Sequence, residues 1–256
     1  MSNALLAVTG LTVRAGERTL VADLSFEVAA GEFVAILGRN GSGKSLTLHT
    51  LAGLRAVASG EITLGGTSMA ALGRRDVARQ LAFLPQDREE SLPLSVQEAV
   101  LLARHPHLGW LQGESAADLQ RVSAALQRFG VEDCAQRALA TLSGGEQRRA
   151  AMAALLVQEP QLFLLDEPTN HLDPHHQVDV LRAFRERCAE GAAVIATLHD
   201  PALADRCADR VLLLQGDGRW RLGATATLLN ASELSQLYAT PMTELAGGGR
   251  RAFIPA

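Results

Sequence analysis

The sequence predicts an α/β fold: a mostly parallel sheet with an antiparallel β layer beside it and a helical insertion. Three observations predict it. The apolar runs FVAIL at 33–37, QLFLL at 161–165, AAVIAT at 192–197 and VLLLQ at 211–215 have the length of strands buried on both faces. The later ones are separated by helical stretches. The opening segments LLAVTGLTV and LSFEV alternate instead, as strands with one exposed face do, and from about residue 88 to 156 the apolar spacing turns to about 3.6.

In order along the chain, LLAVTGLTV and LSFEV form the antiparallel layer together with EITL at 61–64, which follows a Ser59-Gly60 break. FVAIL is a core strand that runs straight into a glycine-rich loop. LAFLPQD at 81–87 ends another strand at Gln86. The segments QEAVLLARH, DLQRVSAALQRFG and EQRRAAMAALL make the helical insertion. QLFLL, AAVIAT and VLLLQ return to the sheet, and a strand, turn and helix follow Asp217. AGGGRR at 246–251 reads as a flexible link to a short tail. The organisation is therefore a first core part at 1–87, a helical subdomain at 88–156, a second core part at 157–245 and a tail at 246–256.

Composition narrows the class. The chain has 256 residues, enough for one large α/β domain with an insertion or two small domains. Its core is aliphatic, with 47% hydrophobic and only 4% aromatic residues. No apolar run reaches the roughly 18 residues of a membrane span, so a membrane role has to come through a partner. The start MSNALLAVTG lacks the flank and apolar stretch of a secretory signal, which predicts a cytoplasmic protein. Cys134, Cys188 and Cys207 are unclustered and read as reduced core thiols. A net charge of −4 disfavours nucleic acid as a partner.

Three motifs carry chemistry. In GRNGSGKS at 38–45, Gly38, Asn40, Gly41, Ser42 and Gly43 let backbone N–H groups converge on phosphate oxygens at a helix start. Lys44 adds a mobile charge for the outer phosphates, Ser45 a hydroxyl for magnesium, and Leu46 continues the loop into the helix. In LFLLDEP at 162–168, Asp166 and Glu167 fall at the carboxyl end of a buried strand, where an open α/β sheet builds its crevice. Asp166 can hold magnesium through water, and Glu167 can orient or deprotonate an attacking water. The bland alternative for such a pair is a solvated turn. LSGGEQ at 142–147 places Ser143, Gly144 and Gly145 at a second helix start able to bind an anion.

These motifs, in this order on one chain, make it resemble the ATP-binding subunit of an ABC transporter. The resemblance covers about residues 5–245 and implies a P-loop NTPase core in the form of an ABC ATPase cassette, using ATP and Mg2+. It implies that LSGGEQ caps ATP held by an opposite subunit, hence a homodimer or a paralogous dimer. It also gives Gln86 a place at magnesium or the lytic water, and makes 87–94 the candidate surface for coupling to an integral membrane permease. Asp173, in NHLDPHH, matches a dimer-contact loop, and His199, in ATLHDP, matches a switch histidine beside the γ-phosphate. His171, His175 and His176 crowd a turn without a Cys partner and, like His105 and His107, are not read as metal ligands.

The segments ARHPHLG, LFLLDEPTNHLDPHHQ and LHDPALADRCADRVLLLQGDGR look like importers of iron–siderophores, haem or cobalamin across a bacterial inner membrane. Such a subunit lies peripherally on the cytoplasmic face and serves a binding protein indirectly through its permease. An exporter subunit and a soluble ABC ATPase of iron–sulfur cluster assembly are the alternatives. One departure stands out: in VRAGERT at 13–19, Ala15 occupies the place of the aromatic that the family stacks on adenine, which leaves Arg14 or Arg18 to lay a guanidinium on the base.

Overall fold

The computed structural model of the protein describes residues 4–86, 93–109 and 113–256. β1 (Ala4–Ala15) and β2 (Arg18–Ala29) form an antiparallel hairpin. The fully buried β3 (Phe33–Gly38) then passes through the glycine loop into α1 (Lys44–Leu51). β4 (Ser59–Leu64) and β5 (Thr67–Ser68) complete a layer in the order β2-β1-β4-β5. α2 (Arg74–Gln80) precedes β6 (Leu81–Leu84). Sequence periodicity misses α2 because RRDVARQ buries no residue and so carries no apolar stripe.

Three helices follow, α3 (Val96–Leu101), α4 (Ala116–Arg128) and α5 (Gly144–Gln158). Each starts on a reciprocal serine–carboxylate cap: Ser95 with Glu98, Ser115 with Asp118, and Ser143 with Glu146. Such caps satisfy N–H groups that the first helical turn leaves without partners. The expected helix through residue 105 gives way to a 3-10 segment, Leu102–His107, which contains Pro106. Proline lacks an N–H and clashes with the preceding turn, so an α-helix does not continue through it.

Arg104 of that segment is buried and binds the Asp118 carboxylate at 2.9 Å, Glu159 at 2.8 Å and the Val157 carbonyl at 2.9 Å. One guanidinium thus ties together the segment after α3, the start of α4 and the end of α5. The hydrogen bonds from Ser115, with Arg104 close by, hold the Asp118 carboxyl down at about 2.

The remainder alternates: β7 (Leu162–Leu165), α6 (Pro174–Ala189), β8 (Ala193–Thr197), α7 (Pro201–Cys207), β9 (Arg210–Leu214), β10 (Trp220–Ala224), α8 (Thr225–Leu228) and α9 (Ala231–Tyr238). AGGGRR is not a flexible link. β11 (Met242–Gly247) and β12 (Arg250–Pro255) pair across it, with Gly248 and Gly249 at φ +59° and +73°. Two consecutive positive φ values make the tight turn whose twist suits a hairpin. Arg251 docks that hairpin by pairing with Asp205 of α7 and donating to the Leu229 carbonyl at 2.7 Å.

Among the described residues the main sheet has the order β10-β9-β3-β8-β7-β6, parallel except for β10 at its edge. Successive side chains of β3 point to opposite faces. Val34 and Ile36 pack toward the antiparallel layer and α1, whereas Phe33, Ala35 and Leu37 pack toward the helices. The register aligns Leu84 with Leu165, Leu165 with Ala196, and Ile36 with Thr197, so the strands all end along one edge. Cys134, Cys188 and Cys207 are buried free thiols, and burial pushes Cys188 up to about 11 and Cys207 to about 12.

Phe184 of α6 meets Phe163 of β7 edge-on at 5.3 Å between ring centroids and lies 6.4 Å from Phe129, just beyond α4. This fully buried ring joins the helical arm to the sheet. Phe184→Ala is expected to lower unfolding stability by about 3–5 kcal/mol, read from the urea midpoint at constant m-value.

Candidate functional site

The glycine loop leaves β3 where side chains have no room. A Cβ on Gly38 would sit 2.5 Å from Ser42 Oγ and 2.6 Å from the Leu214 carbonyl, and the latter is strand backbone that cannot yield. Gly43 caps α1 at φ +101°, a conformation open to glycine. Lys44 is 5% exposed and folds back over its own loop, donating to the Gly38 carbonyl at 2.9 Å and that of Arg39 at 3.4 Å. Burial pushes its pKa down, and the carboxylates of Glu167 and Asp166 act against that shift. Ser45 Oγ donates to Gln86 Oε1 at 3.4 Å.

The acid pair hangs from the end of β7. Thr197, the last residue of β8, donates its hydroxyl to Asp166 Oδ1 at 2.6 Å and accepts the Glu167 N–H at 2.8 Å. Asp166 Oδ2 is buried and takes no hydrogen bond from a protein group among the described residues. Glu167 has φ +49°, a strained conformation for a side chain of its size. Its Oε1 accepts from His199 Nε2 at 2.6 Å, and its Oε2 accepts from Asn170 Nδ2. The solvated turn offered as the alternative for this pair is not what forms, since Asp166 and Glu167 are 0% and 5% exposed.

These groups surround a cavity of about 410 Å3. Asn40, Gly41, Gly43, Lys44, Ser45 and Leu46 line it together with Gln86, Glu167 and His199. Gly38, Ser42 and Asp166 lie buried beneath it. Ala15 and Arg18 complete the rim, Arg18 donating to the Gly216 carbonyl at 2.8 Å. Arg14 does not line the cavity and donates instead to Thr19 Oγ1 at 3.2 Å. Of the two arginines considered for the base, the fold brings Arg18.

The remaining expected residues lie elsewhere. Ser143 caps α5, with its N–H held by the Glu146 carboxylate at 2.7 Å, and Gly144 and Gly145 follow it. Asp173 caps α6 and accepts the His176 N–H at 3.0 Å. None of these four lines the cavity. Of the surface at 87–94, residues 87–92 lie outside the described residues.

Three side chains at the site escape the sequence reading: Thr197, Asn170 and Arg148. Thr197 ends an apolar run and reads as strand, Asn170 sits within a motif valued for its neighbours, and Arg148 looks like one of two exposed arginines on a helix. A polar residue closing a buried strand was the available signal for Thr197.

Residues 21–170 match the model of the ABC transporter family. The hemin import ATP-binding protein HmuV of Streptomyces coelicolor is 39% identical over 239 residues, covering 93% of this chain and 84% of that protein. The petrobactin import ATP-binding protein FpuD of Bacillus anthracis is 33% identical, covering 94% of this chain and 93% of that one. A solved metal-chelate type ABC transporter in an inward-facing conformation superposes with a TM-score of 0.84 at 27% identity, over 99% of this chain and 98% of that chain.

The chain belongs to the ABC transporter family. It carries the ATP-binding cassette of that family and is an ATPase. We propose that the charge of Lys44 meets phosphate oxygens of the nucleotide. Lys44→Ala is expected to weaken ATP binding by about 10- to 100-fold in titration calorimetry, the worth of a hydrogen bond to a charged group, with the melting temperature little changed.

Proposed function

We propose that the chain is the ATP-hydrolysing nucleotide-binding subunit of a bacterial ABC importer, energising uptake of an iron–siderophore, haem or cobalamin through a membrane permease. A divided site carries this reading. The cavity gathers the phosphate loop, Gln86, Glu167 and His199, whereas the exposed Ser143 and its helix start lie off it. A second copy or a paralogue, turned head to tail, brings that helix start over ATP held by Lys44 of the first. The exposure of Asp173 at the start of α6 supports a contact between the two through that residue.

Within each site water attacks the γ-phosphorus, the bond to the β–γ bridging oxygen breaks, and a Glu167 carboxylate oxygen takes the water's proton. His199 Nε2 holds that carboxylate toward the cavity. Lys44 exchanges its loop carbonyls for β- and γ-phosphate oxygens. The Ser45 hydroxyl, the Gln86 amide oxygen and the unpartnered Asp166 oxygen form the all-oxygen donor set that Mg2+ takes, and the ion would supply charge neutralisation at the phosphates. Arg18 offers its guanidinium plane to the adenine in place of the aromatic missing at Ala15.

Among the described residues no helix is long and apolar enough to cross a membrane. In this reading the permease is the point of membrane attachment. A groove of about 610 Å3 lies beside Gln86, and Leu54, Phe83, Pro85 and Ala99 on its wall give it an apolar face for a permease segment. Leu54 is 62% exposed there. The assembly then sits peripherally on the cytoplasmic face of the plasma membrane, with a substrate-binding protein engaged on the permease's far side. The hemin and petrobactin import proteins among the relatives favour import over export or cluster assembly.

With Mg-ATP, Glu167→Gln is expected to lose turnover, to double its mass in light scattering, and to retain a polytopic permease when extracted from native membranes in mild detergent. Copurification with soluble proteins alone would move the reading to cluster assembly. For the base, Arg18→Ala is expected to weaken ATP binding between about two- and thirty-fold, with Arg14→Ala unchanged.

A further inference from the structure

Arg148 lies five residues beyond Ser143, on the first turns of α5, and its side chain turns inward to 6% exposure. Its guanidinium reaches four backbone carbonyls. Nη1 donates to Pro85 at 2.6 Å and to Gln86 at 3.4 Å, while Nη2 donates to Asp166 and, at 2.9 Å, to Glu167. Those carbonyls belong to the segments that leave β6 and β7. The same side chain also lies on the wall of the apolar groove beside Pro85.

Glu167 is where this geometry acts. A glutamate at φ +49° is strained and persists only where its neighbours over-determine it. Its N–H is held by Thr197 and its carbonyl by Arg148, so both sides of the strained residue are fixed. Thr197 belongs to the rigid sheet. Arg148 belongs to the helix that begins at LSGGEQ. A planar, five-donor guanidinium suits this task, because it can span two segments while keeping them in one orientation.

We propose that Arg148 is a positioning residue for hydrolysis, tying the backbone of Gln86 and Glu167 to α5 so that the placement of the LSGGEQ helix sets the Glu167 carboxylate. This rests on the reading of Glu167 as the group that takes the water's proton. Without Arg148 the Glu167 peptide relaxes and its carboxylate drifts from His199, while the loop at 38–45 that holds the phosphates is untouched.

The test compares Arg148→Met, Arg148→Lys and Glu167→Gln in the full chain, measuring Mg-ATP affinity, kcat and melting temperature. For Arg148→Met the expected result is a kcat lower by about ten-fold or more with Kd within about two-fold of the parent. Arg148→Lys keeps the charge but cannot span four carbonyls, so its kcat is expected between the two at the same Kd. If the methionine variant fails to fold, the lysine variant decides alone: reduced kcat at parental Kd supports the proposal, and parental kcat overturns it. A joint loss of affinity and rate overturns it too, since Arg148 would then support the whole site. Parental turnover in Glu167→Gln would sink the hydrolytic reading itself, whereas an inactive Glu167→Gln beside a fully active Arg148→Met sinks only this inference.

Discussion

Parallel hydrogen bonding of β3 with β8, and of β7 with β8 and β6, places four strand ends on one edge, and the glycine loop, Gln86, the acid pair and His199 hang from that edge, while Ala15, Arg18 and Leu20 reach the cavity from the antiparallel layer. The glycine loop leaves β3, Gln86 follows β6, Asp166 and Glu167 follow β7, and His199 follows β8. In an antiparallel sheet alternate strand ends would fall on opposite edges, and these segments, each at least 32 residues from the next on the chain, would not meet. Helices cover one face and the antiparallel layer the other, leaving the edge as the place where polar groups reach solvent.

Burial and strain are concentrated there. Asp166 is out of contact with solvent yet receives the Thr197 hydroxyl, which also accepts the Glu167 N–H, so one side chain serves both acids. Lys44 keeps its ammonium on two loop carbonyls, a placement that satisfies the charge without committing it to a carboxylate. Such groups cost stability unless they are hydrogen-bonded, and the aromatic and aliphatic packing around Phe163 and Phe184 supplies the rigid support behind them.

Much of the fold was legible because its signals are local. Apolar runs of four or five residues located β3, β7, β8 and β9, and the alternation of the first third located β1 and β2. The glycine-rich tail misled for a local reason as well: consecutive glycines suit a flexible link and a two-residue hairpin turn equally, and pairing with β11 decided for the turn. α2 left no apolar signature at all. At the site, the sequence pointed to Lys44, Ser45, Gln86, Asp166, Glu167 and His199, and the fold gathers them around or beneath one cavity. It could not separate Arg14 from Arg18, since strand alternation and the Gly216 carbonyl settle which guanidinium faces inward.

By itself the sequence determined the chemical inventory: a glycine-rich loop with Lys44 after a buried strand, an acid pair at a second strand end, a helix start built on LSGGEQ, and an aliphatic core to carry them. Those features depend on residue type and short spacing, which the chain states directly. Only the tertiary structure decided which of them share a cavity, and it kept Ser143 and Asp173 off the one that holds Lys44. It alone showed that Thr197 and Arg148 hold the two sides of Glu167, because contacts across 19 and 30 residues of sequence exist only once α5, β7 and β8 are packed together.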